Sequence, residues 1–194
     1  MTISSYRLRI TNYDSMLFTD ITNDTKTIYS LKANEKRTFF LLNRSGDITF
    51  KLAAPGAEAH IYALYTGKNE DRHELNIIQH HLAPHTKSSA LVKSVLDDTA
   101  SFSYHGTIRI EKIATGTIAT QENRNLLLSP TASVETNPVL EILNQEVICH
   151  HAATTSAPKE EQIFALASRG IPRGDAVQLI AEGFQKDILI HRQS

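Results

Sequence analysis

The sequence contains one cysteine and no tryptophan, and charge of neither sign predominates. Because Cys149 stands alone, an intrachain disulfide and a zinc site built from several cysteines are both excluded. Lysine and arginine total 20 against 21 for aspartate and glutamate, which disfavours a nucleic-acid binder with a broad basic surface. No apolar run reaches the length of a membrane span, and the N-terminus has no apolar signal-peptide core. We therefore expect a cytoplasmic protein with no nucleic-acid or membrane partner.

What is present is the composition of a folded domain, with 41% hydrophobic and 21% charged residues in a chain of 194. Two regimes follow one another along the chain. Short β-favouring runs separated by turn signals extend to about residue 148, and no long amphipathic helix pattern precedes residue 157. We expect residues 1–156 to form a β core and residues 157–194 a helical segment. Examples of the β-favouring runs are residues 6–10, 38–42, 47–50, 60–65 and 107–110.

The β-rich region repeats itself, and the repeat bears on the choice between two all-β architectures. Residues 98–110 align with residues 130–142 at an offset of 32, and residues 113–120 with residues 147–154 at an offset of 34. Repeats of this size suit a solenoid in which each coil packs on its neighbours. A β-sandwich also has strands at short spacing, so the two copies alone leave both folds open.

The C-terminal regime predicts two helices. The first should open near Pro158, with glutamates in its first turn that suit the helix dipole, and should stop at Gly170. The second should follow Pro172 and carry one apolar stripe. This stripe consists of Ala176, Leu179, Ile180, Gly183 and Phe184. The helical pair either caps the open end of a solenoid or presents its stripe to another protein.

Several motifs between residues 60 and 184 follow one another in a specific order. They are His81-x-Ala83-Pro84-x-Thr86, Lys93-x-Val95-Leu96, Arg124-Asn125-Leu126-Leu127-Leu128-Ser129, Pro138-x-Leu140-Glu141-Ile142, Cys149-His150-His151-Ala152-Ala153-Thr154, Ser168-Arg169-Gly170 and Gly183-Phe184. This arrangement resembles the SufB/SufD family, the scaffold subunits of the Suf system for iron–sulfur cluster assembly. The resemblance covers about two thirds of the chain.

The resemblance implies a right-handed parallel β-helix, here over residues from about 5 to 155 and capped by the short helical pair. It also implies that the C-terminal helices dock a SufC-type ABC ATPase. Two subunits of the family pair through their β-helices, so a SufB-like paralogue or a second copy of this chain is the expected partner. The residues that match the ATPase-docking element are Ser168, Arg169, Gly170, Ala176, Leu179, Ile180 and Phe184.

The chain departs from the family pattern in three respects. It has no counterpart of the long N-terminal helical region, so its β-helix is expected to begin almost at Met1. The family's Cys-Ser-His-Gly-Ala-Thr is changed, with His150 and Ala152 replacing the serine and the glycine. Asn123 stands where SufB-type members carry a cysteine. These differences make the chain more similar to SufD than to SufB.

Cys149 and His151 are the candidate ligands for a metal or cluster. They lie two residues apart, so on a strand both face one side while His150 faces the other. Facing outward, a thiolate and an imidazole could ligate one metal, and a partly exposed thiol near imidazoles is more easily deprotonated than a core thiol. Facing inward, Cys149 is a small core residue. The spacing leaves both alternatives open.

Ligand number limits what these two residues can hold. Common iron–sulfur clusters take four protein ligands, mostly thiolates. We therefore expect no cofactor on the isolated chain, and a transient cluster only where it is shared with a partner chain. A second histidine group, His80, His81 and His85, is interrupted by Pro84, and we interpret its members as solvated or packed side chains at a coil corner.

No phosphate-binding glycine loop and no nucleophile elbow is present, so ATPase activity would reside in a partner and hydrolase chemistry is unsupported. The first hypothesis is a noncatalytic, SufD-like scaffold subunit that works with a SufC-type ATPase and a paired β-helix subunit. The alternative is a reduced relative that serves as a structural or protein-interaction module without cluster chemistry.

Overall fold

The computed structural model of the chain describes residues 17–192. The β-favouring run at residues 6–10 lies outside them. Eleven strands precede two α-helices and a 3₁₀-helix. The strands are β1 (Leu17–Asp20), β2 (Ile28–Leu31), β3 (Lys36–Leu42), β4 (Gly46–Leu52), β5 (Glu58–Gly67), β6 (Arg72–His81), β7 (Lys87–Leu96), β8 (Ser101–Ile110), β9 (Ile118–Leu127), β10 (Ser133–Ile142) and β11 (Ile148–Ser156). The helices are α1 (Glu160–Ala167), α2 (Arg173–Leu189) and the 3₁₀-helix Ile190–Arg192.

The strands alternate between two sheets as the chain advances. One sheet has the order β1-β3-β5-β7-β9-β11 and the other the order β10-β8-β6-β4-β2. Every neighbouring pair within residues 17–192 is parallel. Each coil therefore contributes one strand to each sheet, which confirms the predicted parallel β-solenoid and excludes a sandwich of antiparallel hairpins for this part of the chain.

The strand registers test the two repeat offsets. Ser101 on β8 pairs with Ser133 on β10, which is the predicted offset of 32. Ile118 on β9 pairs with Ile148 on β11, an offset of 30, so the predicted 34 is wrong. The error is an even number of residues. A strand's alternation of apolar and polar residues specifies which face a residue occupies, and an even slip leaves every face unchanged.

Alternate side chains of each strand fill the space between the sheets. In β8 every second residue from Phe102 to Ile110 is buried. Aromatic rings from successive coils contact one another in this core, as expected where each coil buries its inner face on the next. The contacting pairs include Tyr29–Phe50, Phe39–Phe50 and Tyr65–Phe102, with ring centroids 5.5, 4.8 and 4.3 Å apart.

The three histidines of the second group do not converge, as the interrupted pattern predicts. His80 lies on the outer face of β6 and contacts Glu111 at 2.8 Å. His81 is buried in the interior. His85 occupies a turn with φ of 56°.

The second helix, α2, lies against the outer face of the six-stranded sheet, where its Ile180, Ala181 and Phe184 pack with Val95 of β7 and Leu126 of β9. This helix thus covers a side of the solenoid, and β10 and β11 at its C-terminal end stay largely exposed. No helix in the described part of the chain is long and apolar enough to cross a membrane.

Candidate functional site

The candidate site is the C-terminal end of the solenoid, formed by β10 and β11 and called the open end below. Within residues 17–192, each of these strands is paired on one side only, because each is the last of its sheet. No residue of either strand is buried. Side chains that face the interior of the last coil are therefore accessible, and the outer backbone edges are unpaired within the sheets.

Register places Cys149 and His151 on the inner face of β11. Cys149 pairs with Ala119 and His151 pairs with Gln121, and both partners are buried inside the solenoid. His150 lies on the opposite face. Cys149 is half-buried and His151 is exposed. The pair is thus directed inward and is accessible at the same time, a combination that the two alternatives from the sequence did not include.

The surroundings of Cys149 are apolar on its inner side. Its side chain packs against a buried cluster of Ile108, Ile110, Ala114 and Ala119. This burial raises the pKa of the Cys149 thiol. Desolvation on this side of the residue disfavours the thiolate. A bound metal ion reverses this preference, since a coordinating thiol is deprotonated.

Asn123 lies in the interior, two residues from Gln121 on β9. Its side-chain nitrogen donates to Val92 O at 3.2 Å, and its oxygen accepts from Asn125 Nδ2 at 2.6 Å and from Thr136 Oγ1 at 2.8 Å. The amide is thus held in a hydrogen-bond network that reaches from the core to β10. A cysteine at this position could not make these contacts.

The donor atoms at the open end are few. Cys149 and His151 offer one sulfur and one imidazole, and no group of three or more His, Cys, Asp or Glu side chains within residues 17–192 is placed to hold a metal ion. Common clusters take four protein ligands. These two residues alone fall short of the ligand set that a common cluster takes.

The predicted ATPase-docking residues divide into an exposed and a packed group. The exposed group is Ser168, Arg169, Gly170 and Leu179. Gly170 has φ of +83°, a conformation that favours glycine, in the turn that follows the end of the first helix at Ala167. The packed group is Ala176, which is buried, together with Ile180 and Phe184, which face the sheet.

Phe164 is an exposed apolar side chain that the sequence analysis did not select. It is 73% exposed on α1, whereas its neighbour Ile163 is buried. Consecutive residues of a helix point about 100° apart, so one packed side cannot accommodate both. Two adjacent large apolar residues in a short helix were the signal that could have identified it.

Lys93 on β7 anchors α2 to the solenoid. Its side chain is 3% exposed, and Nζ donates to Phe184 O at 2.8 Å and to Asp187 Oδ1 at 2.5 Å. The ammonium also lies 4.4 Å from the centroid of the Phe184 ring. Lys93 extends from the outer face of the sheet, and its contacts thus fix the position of α2, the helix that carries Leu179.

Together these features define a class of protein, a parallel β-solenoid with a thiol and an imidazole accessible at its end and a helix packed on its side. Residues 42–184 match the family model described as "SUF system FeS cluster assembly, SufBD core domain". The chain belongs to the SufBD family.

Individual relatives agree with this assignment. An iron–sulfur cluster assembly SufBD family protein of Synechocystis sp. is 35% identical over 119 residues, which cover 61% of this chain and 26% of the relative. The cluster assembly protein SufD of Escherichia coli is 38% identical over 101 residues (52% and 24%), and SufB of Bacillus subtilis is 35% identical over 104 residues (54% and 22%). The chain thus spans less than two thirds of the length of these relatives, and it resembles SufB and SufD proteins to similar degrees.

Proposed function

We propose that this chain is a SufD-like scaffold subunit in iron–sulfur cluster assembly. The role in cluster assembly is supported by membership of the SufBD family. The observation that carries the proposal is the position of Cys149 and His151, which face into the last coil and are accessible there. A thiolate and an imidazole at this position can serve as part of a ligand set for iron, which a second chain completes.

Pairing with a second solenoid would take place at the open end. Unpaired strand edges accept another strand, and exposed apolar side chains favour burial at an interface. The exposed apolar side chains at this end are Leu140, Ile142, Leu143 and Ile148. The partner is a SufB-like paralogue or a second copy of this chain, either of which would bring further ligands close to Cys149.

A SufC-type ATPase would dock on the helical pair. Phe164 and Leu179 are exposed apolar side chains, and the turn at Ser168, Arg169 and Gly170 lies between their helices. Only three residues separate β11 from α1, so the docking helices are directly continuous with the strand that carries Cys149. ATP-driven movement of the ATPase would in this way reach the interface around Cys149 and His151.

The SufD-like assignment is supported by Asn123. A fully hydrogen-bonded amide occupies the position at which SufB-type members carry a cysteine, so this chain supplies one thiol fewer. We infer that it completes a cluster site on a partner and does not nucleate one.

The second candidate function is a protein-interaction module without cluster chemistry. It is favoured by the apolar contacts of Cys149 and by the raised pKa of its thiol, both of which suit a structural cysteine. In this case the open end and the helices would still bind partners, and iron would not be retained.

Anaerobic reconstitution with ferrous iron and sulfide distinguishes the two functions. The scaffold function predicts that the isolated monomer retains no stable cluster, while a pair formed with a SufB-like chain retains iron and sulfide that depend on Cys149 and His151. A cluster on the monomer would contradict the inferred ligand number. Equal iron in pairs with and without Cys149→Ser and His151→Ala would favour the interaction module.

A further inference from the structure

Three polar atoms of inward-facing side chains are buried and have no protein hydrogen-bond partner. They are Gln79 Oε1, Tyr104 Oη and Gln121 Oε1. Gln79 and Tyr104 are fully buried and Gln121 is 2% exposed. Buried polar side-chain atoms in native proteins nearly always bond to protein or to ordered water, so three such atoms in one interior need an explanation.

The side chains of Tyr104 and Gln121 meet beside Gly106. A Cβ atom at Gly106 would overlap the Gln121 amide nitrogen and would come within 2.5 Å of Tyr104 Oη. Gln79 reaches the same layer, because its Nε2 donates at 3.1 Å to the backbone oxygen of Thr120, the residue before Gln121. A glycine at this position thus makes room for the polar ends of its neighbours.

We propose that one water molecule is bound at this place, between Gln79, Tyr104 and Gln121. Water has two donors and can accept from a hydroxyl. It donates to the two amide oxygens and accepts from the Tyr104 hydroxyl, so all three unpartnered atoms are satisfied by one molecule. Three hydrogen bonds are typical of a buried water.

Charge favours water over a metal cation. No carboxylate is among the buried side chains of residues 17–192. His81, which is joined to Gln79 through Ser88, is neutral at pH 7 because burial lowers its pKa to about 4. A cation beside two amides and a hydroxyl would be an uncompensated charge in the interior.

The water connects a chain of hydrogen bonds in the interior to the buried side chains next to the open end. Thr86 contacts His81 at 2.8 Å, His81 contacts Ser88 at 2.8 Å, and Gln79 donates to Ser88 at 2.6 Å. The water joins this chain to Gln121, the register partner of His151. It therefore holds the amide directly beneath His151, whether or not the open end binds a cluster.

A crystal structure of the chain that shows ordered water tests the site directly. We expect a single peak about 2.7–3.2 Å from each of the three atoms. A direct hydrogen bond from Tyr104 to either amide, with no intervening peak, would overturn the proposal. So would a peak with four or more oxygen contacts of about 2.3–2.6 Å, which would indicate a cation such as calcium.

Variants give an independent test. In Gly106→Ala the new methyl group should displace the Gln121 amide, expel the water and lower the Tm. Gly183→Ala is the matched control, since no atom lies within 4 Å of its added Cβ, and it should keep the water without lowering the Tm. Retention of the water at the same position in Gly106→Ala would contradict the assignment. If that variant does not fold, Tyr104→Phe should fold and lose the water, and an unchanged water there would contradict it equally.

Discussion

Cys149 and His151 owe their accessibility to their position in the last described coil. The same inward-facing positions one coil earlier hold Ala119 and Gln121, which are buried. The spacing of two residues could be interpreted from the sequence because alternation fixes the face of a strand residue. Their exposure could not, since it depends on whether another coil covers them. The raised pKa of the thiol is a further consequence of position, because the apolar cluster beneath Cys149 is assembled from two strands, β8 and β9, and the turn between them.

Truncating the two candidate ligands should separate chemistry from folding. Because neither residue is fully buried, Cys149→Ser and His151→Ala should change the free energy of unfolding by less than about 1 kcal/mol. Each should lower the iron retained by a complex of this chain with its partner. Urea unfolding and iron quantification measure the two effects. His150→Ala, on the opposite face of the same strand, is the matched control and should retain iron.

Because of His81, the free energy of unfolding should decrease in mild acid. Burial, with a smaller contribution from His80, lowers its pKa from 6.5 to about 4, so between these pH values the unfolded chain binds a proton that the folded chain does not. One such group reduces the free energy of unfolding by about 2 kcal/mol between pH 7 and pH 5. Urea titrations at both pH values should show this loss in the wild type and a correspondingly smaller loss in His81→Gln. His150→Gln, which removes an exposed imidazole, is the control and should show the full wild-type loss. If His81→Gln loses as much free energy of unfolding as the wild type and His150→Gln do, the assignment to His81 is wrong.

At the scale of elements, α2 presents two different surfaces. The predicted stripe joined residues on a single face, yet Leu179 is 46% exposed while Ala176 is buried and Ile180 and Phe184 turn toward the sheet. Apolar residues at helical spacing identify the apolar side of a helix, but they do not show which of these residues are covered and which stay exposed. The packed side is decided by the outer face of β7 and β9, and by Lys93, whose partners are remote in sequence.

Phe184 and Leu179 should therefore respond differently to truncation. Phe184→Ala removes a half-buried ring and should lower the free energy of unfolding by about 2 kcal/mol. Leu179→Ala should leave the Tm nearly unchanged and weaken binding of a SufC-type ATPase by about 10-fold, since burying such a side chain is worth on the order of 1.5–3 kcal/mol. Thermal unfolding and calorimetric titration measure these effects. Unchanged affinity in both Leu179→Ala and Phe164→Ala would place the ATPase elsewhere.

Lys93 should control the docking of α2. Lys93→Met keeps the aliphatic stem and removes the hydrogen bonds to Phe184 O and Asp187. Their loss should destabilise the docked helix by about 1.5 kcal/mol, so amide exchange in α2 should be roughly 10-fold faster. Hydrogen-exchange mass spectrometry can compare this helix with the strands, which should be unaffected. Lys186→Met, at an exposed position of the same helix, should exchange at the wild-type rate. Equal rates in both variants would show that packing alone holds the helix.

At the scale of the whole molecule, the repeat offset and the family motifs were sufficient to predict a parallel solenoid with two C-terminal helices. The 32-residue offset between β8 and β10 is the observed register, whereas the 34-residue offset failed because alternation cannot distinguish slips of two or four residues. The sequence also did not predict the position of α2 on the face of the sheet. This position results from packing between α2 and strands distant in sequence, among them β7, whose Lys93 lies 91 residues before Phe184, and no local pattern records this packing.

The most direct test of the account is co-expression of this chain with a SufC-type ATPase and a SufB-like chain, followed by anaerobic purification and quantification of iron and sulfide. The account predicts a stable complex that retains both elements and loses them in the Cys149→Ser, His151→Ala double variant, although that variant still enters the complex. Full retention of iron and sulfide by the double variant, or failure of the wild-type chain to enter the complex, would contradict it.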